Sequence, residues 1–375
     1  MFDKDAKEMR KVRYAVVGLG WIAQEAVLPG FKNATDNSEL AALVTGDPTK
    51  AKAVSDIYDV KRVVSYDRYS QLLASGEVDA VYIALPNNMH RDFTVAAAQA
   101  GIHVLCEKPM AATVRECEEM TRACKDAGVK LMIAYRLHFE PGNLKAIEIV
   151  NSGEIGEARI FHSVFSQQVA ERNIRLKKSL AGGPLMDMGV YCINAARYLF
   201  RAEPDEVVAM GASTADPRFR EVHEMASAIL RFPGDRLASF TCSFGAAPAD
   251  YYSVAGTKGE LRVSPAYTYH DKITHYVTKD DEEEKETFTK RDQFGAELAY
   301  FSDCILKNKE PEPGGKEGSA DLRIVEAILE SMRSGQVVKM EGFGVTARPS
   351  QQQKIEMSSV KKPTVVHAES PSGQK

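Results

Sequence analysis

An apolar strand pattern that runs directly into a glycine turn constrains the fold of this chain more than any other feature. Residues 12–17 have the strand pattern, and Gly18-Leu19-Gly20-Trp21-Ile22-Ala23 has the spacing Gly-x-Gly-x-x-Ala at the start of a predicted helix. Glycines in this position allow the backbone to approach a pyrophosphate at the positive end of the helix dipole. The sequence therefore predicts a dinucleotide-binding turn. The residues predicted to contact the nucleotide here are Gly18, Gly20, Trp21 and Ile22.

Strand and helix patterns alternate through the first part of the chain. Apolar strand runs at 40–44, 80–85 and 131–135 are separated by helical stretches such as 50–58 and 90–100. This alternation predicts a parallel, doubly wound sheet, because each crossover helix returns the chain to the same edge. We expect the chain up to residue 135 (1–135) to form a Rossmann dinucleotide-binding domain.

The pattern changes in the second part of the chain. Strand candidates such as 160–165, 226–232 and 238–244 follow one another with few helices between them, which is typical of a large, mostly antiparallel, open sheet. We predict an α+β domain for substrate binding and oligomerisation at 136–345. A polar, disordered tail is predicted at 346–375, because this segment lacks apolar periodicity. The predicted fold class is α/β overall.

The composition argues against several classes of partner. A net charge of -4, with basic residues scattered among acidic ones, gives no reason to expect nucleic acid. No stretch approaches the roughly 18 apolar residues of a membrane helix. The six cysteines form no Cys-x-x-Cys pair, and the first residues lack the apolar segment of a secretory signal, so we expect a cytoplasmic protein. His223-Glu224 is followed by Ser227 where a zinc-protease helix would have histidine, so no metal is predicted.

The end of the second strand bears on which nicotinamide nucleotide is bound. Thr45 stands where an acidic residue would hold the ribose 2′-hydroxyl of NAD, and Lys50 offers a cation to a 2′-phosphate. NADP is therefore favoured, while Asp47 could reach the ribose and leaves NAD possible. His90, after the fourth strand, has two interpretations. It contacts the cofactor, or it is a structural residue in the first turn of the following helix. The residues predicted near the nicotinamide are Leu85, Pro86, Asn87 and His90.

Two further groups of residues are candidates for a catalytic role. Glu107-Lys108-Pro109 follows the fifth strand, and the proline restricts Lys108 to extended backbone at the carboxyl edge of the sheet. Its ammonium could polarise a hydroxyl or carbonyl and lower a neighbour's pKa. In the second group, a helix beginning near Pro184 would place Asp187, Tyr191 and Asn194 on one face. A buried structural network is the alternative interpretation of that polar stripe.

The glycine turn, the Glu107-Lys108-Pro109 motif and the cluster at 182–194 together resemble the family named for glucose-fructose oxidoreductase, inositol dehydrogenase and the rhizopine-catabolism protein. The resemblance covers about residues 12–343 and is greatest to the glucose-fructose oxidoreductase branch. It implies a catalytic lysine at Lys108, a substrate-orienting carboxylate at Asp187 and an acid/base at Tyr191. Most relatives have histidine where Tyr191 stands. The resemblance also implies cofactor contacts from Glu107, Lys108 and Arg136, and substrate contacts from Lys108, Tyr135, Arg175, Asp187 and Tyr191.

Two departures from that branch are visible. Its periplasmic members have an export signal and a proline-rich arm over the cofactor, and neither is found at the start of this sequence, which puts permanently held nucleotide in doubt. Ile174 stands where the branch has tryptophan, which alters the sugar pocket. Arg136, His138, Arg175, Lys177 and Lys178 could bind sugar hydroxyls or a phosphate, or form basic surface.

The resulting hypothesis is an NADP-dependent sugar oxidoreductase that transfers a hydride between a nicotinamide cofactor and an aldose or related cyclic sugar. Tyrosine has an ordinary pKa of about 10. The Lys108 ammonium must therefore lower the pKa of Tyr191 if this residue is to act as a general base at neutral pH. The alternatives are a nucleotide-binding sugar sensor without turnover and a redox-assisted, NAD-dependent glycosidase. A homodimer or homotetramer formed through the second sheet is expected.

Overall fold

The computed structural model describes residues 10–342, 344 and 348–373. Positions 1–9, 343, 345–347 and 374–375, which fall in the predicted domains and tail, lie outside the described residues. The described chain forms two sheets, a parallel one of six strands and a mixed one of nine. The predicted α/β fold class is confirmed. None of the helices in these ranges has the length and apolar composition needed to cross a bilayer.

The first sheet has the strand order β3-β2-β1-β4-β5-β6, and every pair in it is parallel. Its strands are β1 Val12–Val17, β2 Ser38–Val44, β3 Arg62–Val64, β4 Ala80–Ile83, β5 His103–Glu107 and β6 Leu131–Ala134. Because β1 and β4 are central neighbours, the chain reverses its direction of winding between them. Such a switch point leaves a crevice outside the carboxyl ends of the strands, where ligands bind in open α/β sheets.

The second sheet has the order β14-β13-β12-β11-β7-β10-β9-β8-β15. Its strands are β7 Ala158–Ser166, β8 Glu206–Ala212, β9 Met225–Phe232, β10 Arg236–Ser243, β11 Ala249–Gly256, β12 Gly259–Val263, β13 Thr274–Lys279, β14 Glu282–Thr287 and β15 Val338–Lys339. The pairing of β7 with β10 is parallel, and the other pairings in this sheet are antiparallel. Strands β8, β9 and β10 alternate buried and accessible residues, as expected of a sheet with one covered face.

Nine α-helices occur in the described residues. They are α1 Leu28–Gly30, α2 Pro48–Tyr58, α3 Tyr69–Leu73, α4 His90–Gln99, α5 Val114–Asp126, α6 Pro141–Ser152, α7 Val190–Phe200, α8 Gln293–Leu306 and α9 Gly315–Ser334. Two of them are entered through π-helical turns, Ala23–Val27 before α1 and Leu185–Gly189 before α7. A π-turn adds a residue to the helical repeat, so it rotates the side chains that follow.

Helix α8 packs against β1 and β2 of the first sheet, although it lies within the range predicted for the second domain. Its Phe294, Leu298 and Phe301 share an apolar core with Tyr14 and Leu43. Ser302 joins the two parts through hydrogen bonds with Tyr14 Oη at 2.8 Å and Ser38 Oγ at 2.7 Å. A parallel sheet needs cover on both faces, and α8 supplies part of it. The boundary at residue 135 therefore divides the two sheets but not the helices that cover them.

The segment 348–373 differs from the disordered tail expected from its composition. It follows the surface of the protein and contacts it repeatedly: Arg348 pairs with Glu203 and Glu317, and Ser358 O accepts a hydrogen bond from Asn33 Nδ2 at 2.7 Å. Apolar periodicity predicts burial against a core, whereas this segment is held through polar contacts with neighbouring elements. That kind of order leaves no periodic signal in the sequence.

Candidate active site

A cavity of about 1480 Å³ lies along the carboxyl edge of the first sheet and extends to the second. The glycine turn, the ends of β2, β4 and β5, the loop after β7 and the π-turn before α7 all contribute to its wall. It exceeds the roughly 300–1,000 Å³ of an ordinary small-molecule pocket, so it has room for a dinucleotide and a second ligand.

The glycine turn has the geometry that a dinucleotide site requires. Gly18 has φ +93°, and a Cβ there would lie 2.6 Å from Ala84 O, so no other residue fits without backbone movement. A Cβ at Gly20 would meet nothing within 4 Å. Gly20 therefore faces open space, where a pyrophosphate could approach the backbone. Trp21 and Ile22, for which nucleotide contacts are predicted, also line the cavity.

Thr45 and Lys50 line the cavity at the end of β2, where the adenosine ribose is expected. Asp47 is occupied elsewhere. Its Oδ1 accepts hydrogen bonds from Thr49 N at 2.8 Å and Lys50 N at 3.1 Å, and its Oδ2 lies 3.2 Å from His367 Nδ1. The bond from the Lys50 amide holds the pKa of Asp47 below its ordinary value, so the carboxylate caps α2 in its charged form.

Of the residues predicted after β4, three reach the cavity and one does not. Leu85, Pro86 and Asn87 line it, and Asn87 Nδ2 donates to Ala181 O at 2.9 Å, which ties the two halves together. His90 is fully buried behind the wall, with Nδ1 2.9 Å from Pro109 O and Nε2 2.9 Å from Leu85 O. Burial lowers its pKa. Of the two interpretations, this geometry matches a structural His90, not a cofactor contact.

Glu107 and Lys108 lie side by side at the end of β5 but face different partners. Glu107 accepts a hydrogen bond from Tyr82 Oη at 2.9 Å, and burial raises its pKa. Lys108 Nζ donates to the Asp187 backbone oxygen at 3.0 Å and to Oδ1 at 3.2 Å. Both side chains line the cavity.

Asp187 is held between two cations. Arg175 Nε donates to its Oδ2 at 2.7 Å, opposite Lys108. Burial alone would raise the pKa of Asp187, but Arg175 and Lys108 outweigh it and hold this pKa well below its usual range. Burial would likewise lower the pKa of Lys108, but Tyr191 and Asp187 outweigh it, so the pKa of this lysine is raised. The pair is therefore ionised at neutral pH.

Tyr191 lies at the centre of the site. Its ring centroid is 4.6 Å from Lys108 Nζ and 5.1 Å from the Arg136 guanidinium carbon, which are cation–π distances. Arg136 is buried and fixed by hydrogen bonds to Gln293 and to the Tyr267 carbonyl. Two cations thus flank the ring of a tyrosine that lines the cavity, an arrangement suited to stabilising negative charge as a proton leaves.

Several other predicted residues lie outside this cavity. Tyr135 is buried, and its hydroxyl donates to Asp321 Oδ2 at 2.5 Å, so it supports α9 instead of meeting substrate. Asn194 also lies outside the cavity and contacts the same carboxylate, with Nδ2 3.0 Å from Asp321 Oδ2. The π-turn before α7 is the physical reason, because it breaks the helical spacing that would align Asn194 with Asp187.

The basic residues considered for sugar binding divide into those that line the cavity and those that do not. Arg136 and Arg175 line the cavity. His138 is buried, with Nε2 2.8 Å from Asn194 Oδ1 and Nδ1 3.1 Å from Glu312 Oε1. Lys177 Nζ pairs with Glu221 Oε1 at 2.7 Å on the surface, and Lys178 is exposed.

The cavity wall contains residues that the sequence patterns did not single out. Asp250, the second residue of β11, accepts hydrogen bonds from Ala266 N at 2.9 Å and Tyr267 N at 2.7 Å, and burial raises its pKa. Tyr269 lies over Arg136 at 5.0 Å. These residues come from β11 and from the loop before β13, which no local motif marks. The other lining residues that went unmarked include Glu25, Phe165, Gln167, Tyr267, His270 and the segment 362–372.

Comparison with known proteins agrees with this geometry. The model of the oxidoreductase family with an NAD-binding Rossmann fold matches residues 12–135, and that of the GFO/IDH/MocA C-terminal domain matches residues 143–262. The chain belongs to the GFO/IDH/MocA oxidoreductase family. The predicted family and a nicotinamide nucleotide as cofactor are thereby confirmed.

Members of the family with known activities or structures cover most of the chain. The D-xylose 1-dehydrogenase [NADP(+)] of Haloarcula marismortui is 33% identical over 338 residues, which is 88% of this chain and 93% of that protein. The aldose-aldose oxidoreductase of Caulobacter crescentus, solved with glycerol, is 38% identical with a TM-score of 0.84, covering 88% of this chain and 100% of that one. KijD10, a 3-ketoreductase from Actinomadura kijaniata solved with NADP and TDP-benzene, is 26% identical with a TM-score of 0.79, covering 86% and 98%. This chain is a sugar oxidoreductase of the family.

Proposed function

We propose that this protein is an NADP-dependent oxidoreductase acting on the hydroxyl-bearing carbon of an aldose or related cyclic sugar. One observation carries the proposal. Tyr191 lines the cavity between Lys108 and Arg136, and the glycine turn lines the same cavity. This combination supports the proposal, because an acid/base group, a fixed positive charge and a nucleotide site would share one cavity.

The chain's own residues would divide the chemistry as follows. When bound, the nicotinamide ring accepts a hydride from the sugar carbon. Tyr191 takes the hydroxyl proton as that hydride leaves, and Lys108 and Arg136 stabilise the developing negative charge. Asp187 keeps Lys108 oriented and can accept a hydrogen bond from a neighbouring sugar hydroxyl. The two electrons that leave the sugar carbon would pass to the bound nucleotide.

The adenosine end of the cavity supports NADP as the nucleotide. Lys50 offers a cation and Thr45 a hydroxyl at that end, and both line the wall. Asp47, the residue that left NAD possible, is engaged by the α2 amides and lies beside His367. The Haloarcula marismortui relative is named for NADP, and KijD10 was solved with it. We assign NADP as preferred and NAD as the weaker alternative.

A cofactor and substrate screen tests this proposal. Purified protein is mixed with NADP or NAD and with D-xylose, D-glucose, other aldoses, 1,5-anhydrofructose and polyols, and absorbance at the wavelength of reduced nicotinamide is followed. We expect reduction of NADP with at least one aldose and a smaller kcat/KM with NAD. Nucleotide binding with no reduction by any sugar would favour a sensor. Release of free sugar from a glycoside with no net nicotinamide change would favour a glycosidase.

We also propose that copies of the chain associate through the open face of the second sheet. Five apolar side chains project from it, with exposures of 79% for Met210, 53% for Ile160, 47% for Ile229, 44% for Leu237 and 37% for Val208. Four of them form two adjacent pairs, because Ile160 lies opposite Leu237 and Ile229 opposite Val208. A contiguous apolar patch on an open sheet is typical of an interface.

A further inference from the structure

The segment 359–373, here called the strap, crosses the mouth of the cavity from one side to the other. The strap begins shortly after Met357, whose carbonyl accepts a hydrogen bond from Asp292 N at 3.1 Å. Lys362 Nζ then lies 5.9 Å from the Trp21 ring centroid, in the glycine turn. At its far end, Pro371 O accepts a hydrogen bond from Ala170 N at 2.8 Å, in the loop after β7. The strap therefore bridges the two halves of the protein.

Two anchors hold the middle of the strap to the nucleotide-binding half. Val366 exchanges a pair of hydrogen bonds with the Gln24 side chain: its amide donates to Gln24 Oε1 at 2.8 Å, and Gln24 Nε2 donates to its carbonyl at 2.9 Å. Gln24 is buried and follows the glycine turn directly. His367 Nδ1 lies 3.2 Å from Asp47 Oδ2 at the adenosine end. The strap thus follows the line that a dinucleotide would take.

The strap covers the cavity without filling it. The cavity keeps its 1480 Å³, and both the glycine turn and strap residues such as Lys362, His367 and Ser370 line it. Lys362 of the strap lines the cavity, and its charge suits a phosphate-bearing ligand beneath it. Pro363 and Pro371 restrict its backbone and so reduce the entropy lost on ordering.

We propose that the strap forms the outer wall of the nucleotide site and must detach before the nucleotide can leave. This inference rests on the proposed function for the identity of the ligand. The strap supplies this cover from residues 359–373. Lys362 contributes a cation near the pyrophosphate turn, and His367 contacts Asp47 at the adenosine end.

The direct test is the dissociation rate of NADPH, measured by stopped-flow fluorescence after mixing the complex with excess NADP. The full chain is compared with a chain ending at Ser358, which keeps the preceding contacts. We expect the truncated protein to release NADPH at least about tenfold faster, since differences in affinity between related complexes lie mostly in dissociation. An unchanged rate overturns the proposal. Slower release from the truncated chain also overturns it and would indicate an inhibitory segment.

A pair of substitutions and a measurement on the unaltered chain guard against a folding defect in the truncated protein. Lys362→Ala should speed NADPH release severalfold, whereas Lys361→Ala, at the neighbouring exposed lysine, should not. Hydrogen exchange of the full chain should show slower exchange of the Val366 amide when NADP is bound. Equal effects of the two substitutions, or exchange unaffected by NADP, would contradict the proposal. If no nucleotide binds to the full chain, the proposed function fails instead, so the two failures are distinguishable.

Discussion

The ammonium of Lys108 and the carboxylate of Asp187 form an ion pair with a distance of 3.2 Å between Nζ and Oδ1, although 79 residues separate them. The pair joins the end of a parallel strand to the π-turn before α7. Because Arg175 holds the other carboxylate oxygen at 2.7 Å, Asp187 cannot swing away, and the ammonium stays over the Tyr191 ring. The proposed acid/base group and the positive charge beside it are thereby fixed before substrate arrives.

Replacing Lys108 should remove most of the activity without unfolding the protein. In Lys108→Met, Asp187 keeps Arg175 as a partner, so no buried carboxylate is orphaned. We expect kcat to fall by about 10²-fold or more, because charge stabilisation in the transition state is lost, while NADP affinity changes little. Steady-state kinetics and NADP titration measure both. The exposed Lys178→Met is the matched control, and equal activity of the two variants would contradict the assigned role.

Lys50 should govern the choice between NADP and NAD. A charge-assisted hydrogen bond to a phosphate is worth about 1.5–3 kcal/mol, so Lys50→Met should raise KM for NADP by about tenfold or more and leave KM for NAD unchanged. Lys52→Met is the control on the same helix, because Lys52 pairs with Asp56 at 3.0 Å on the surface. An equal rise in KM for both nucleotides would mean that Lys50 does not contact the 2′-phosphate.

The open sheet face should control oligomeric state. Met210→Lys with Ile229→Lys places two charges in the exposed apolar patch without touching the core. We expect light scattering after gel filtration to give an oligomer for the native chain and a monomer for the double variant. Leu329→Lys, at an exposed leucine of α9, should leave the oligomer intact. A native chain that is monomeric would refute the proposed interface.

His138 should make stability fall as the solution becomes alkaline. Burial would lower its pKa, but Glu312 and Glu317 outweigh burial and raise this pKa above the ordinary value. The folded protein therefore binds the proton more tightly than the unfolded chain. This contribution is complete below the unfolded pKa of about 6.5 and is lost as pH rises through the folded pKa.

The measurement is the denaturant unfolding of His138→Gln compared with that of the native chain from pH 5.5 to 9. The difference in unfolding free energy should be largest at low pH and should shrink as pH rises. A His138→Gln difference that does not vary with pH would contradict the raised pKa.

Much of the nucleotide half could be predicted from the sequence. The glycine turn, Thr45, Lys50 and the residues after β4 each follow a strand, and parallel strands bring their carboxyl ends to one edge. Lys108 and Asp187 are predicted separately, from a strand end and from the family resemblance, and no sequence pattern predicts the contact between them. His90 has two interpretations, because a histidine in a first helical turn fits either a ligand contact or the two carbonyls it meets here.

The remainder depends on long-range packing that leaves no local pattern. The π-turn at 185–189 changes which residues share a face with Asp187, and regular helical spacing could not reveal it. Tyr135 follows a strand end like the site residues, yet its hydroxyl bonds to Asp321 on a distant helix. The strap is polar and aperiodic, and its order comes from partners such as Gln24 and Asp47, more than 300 positions away.

Isotope transfer tests the central claim most directly. NADP is incubated with an aldose deuterated at its oxidised carbon, and the nucleotide is analysed by mass spectrometry, for the native chain and for Tyr191→Phe. The account predicts one deuterium in the reduced nucleotide from the native chain and at least about 10²-fold slower formation with Tyr191→Phe. Reduced nucleotide without deuterium, or an undiminished rate in Tyr191→Phe, would contradict it.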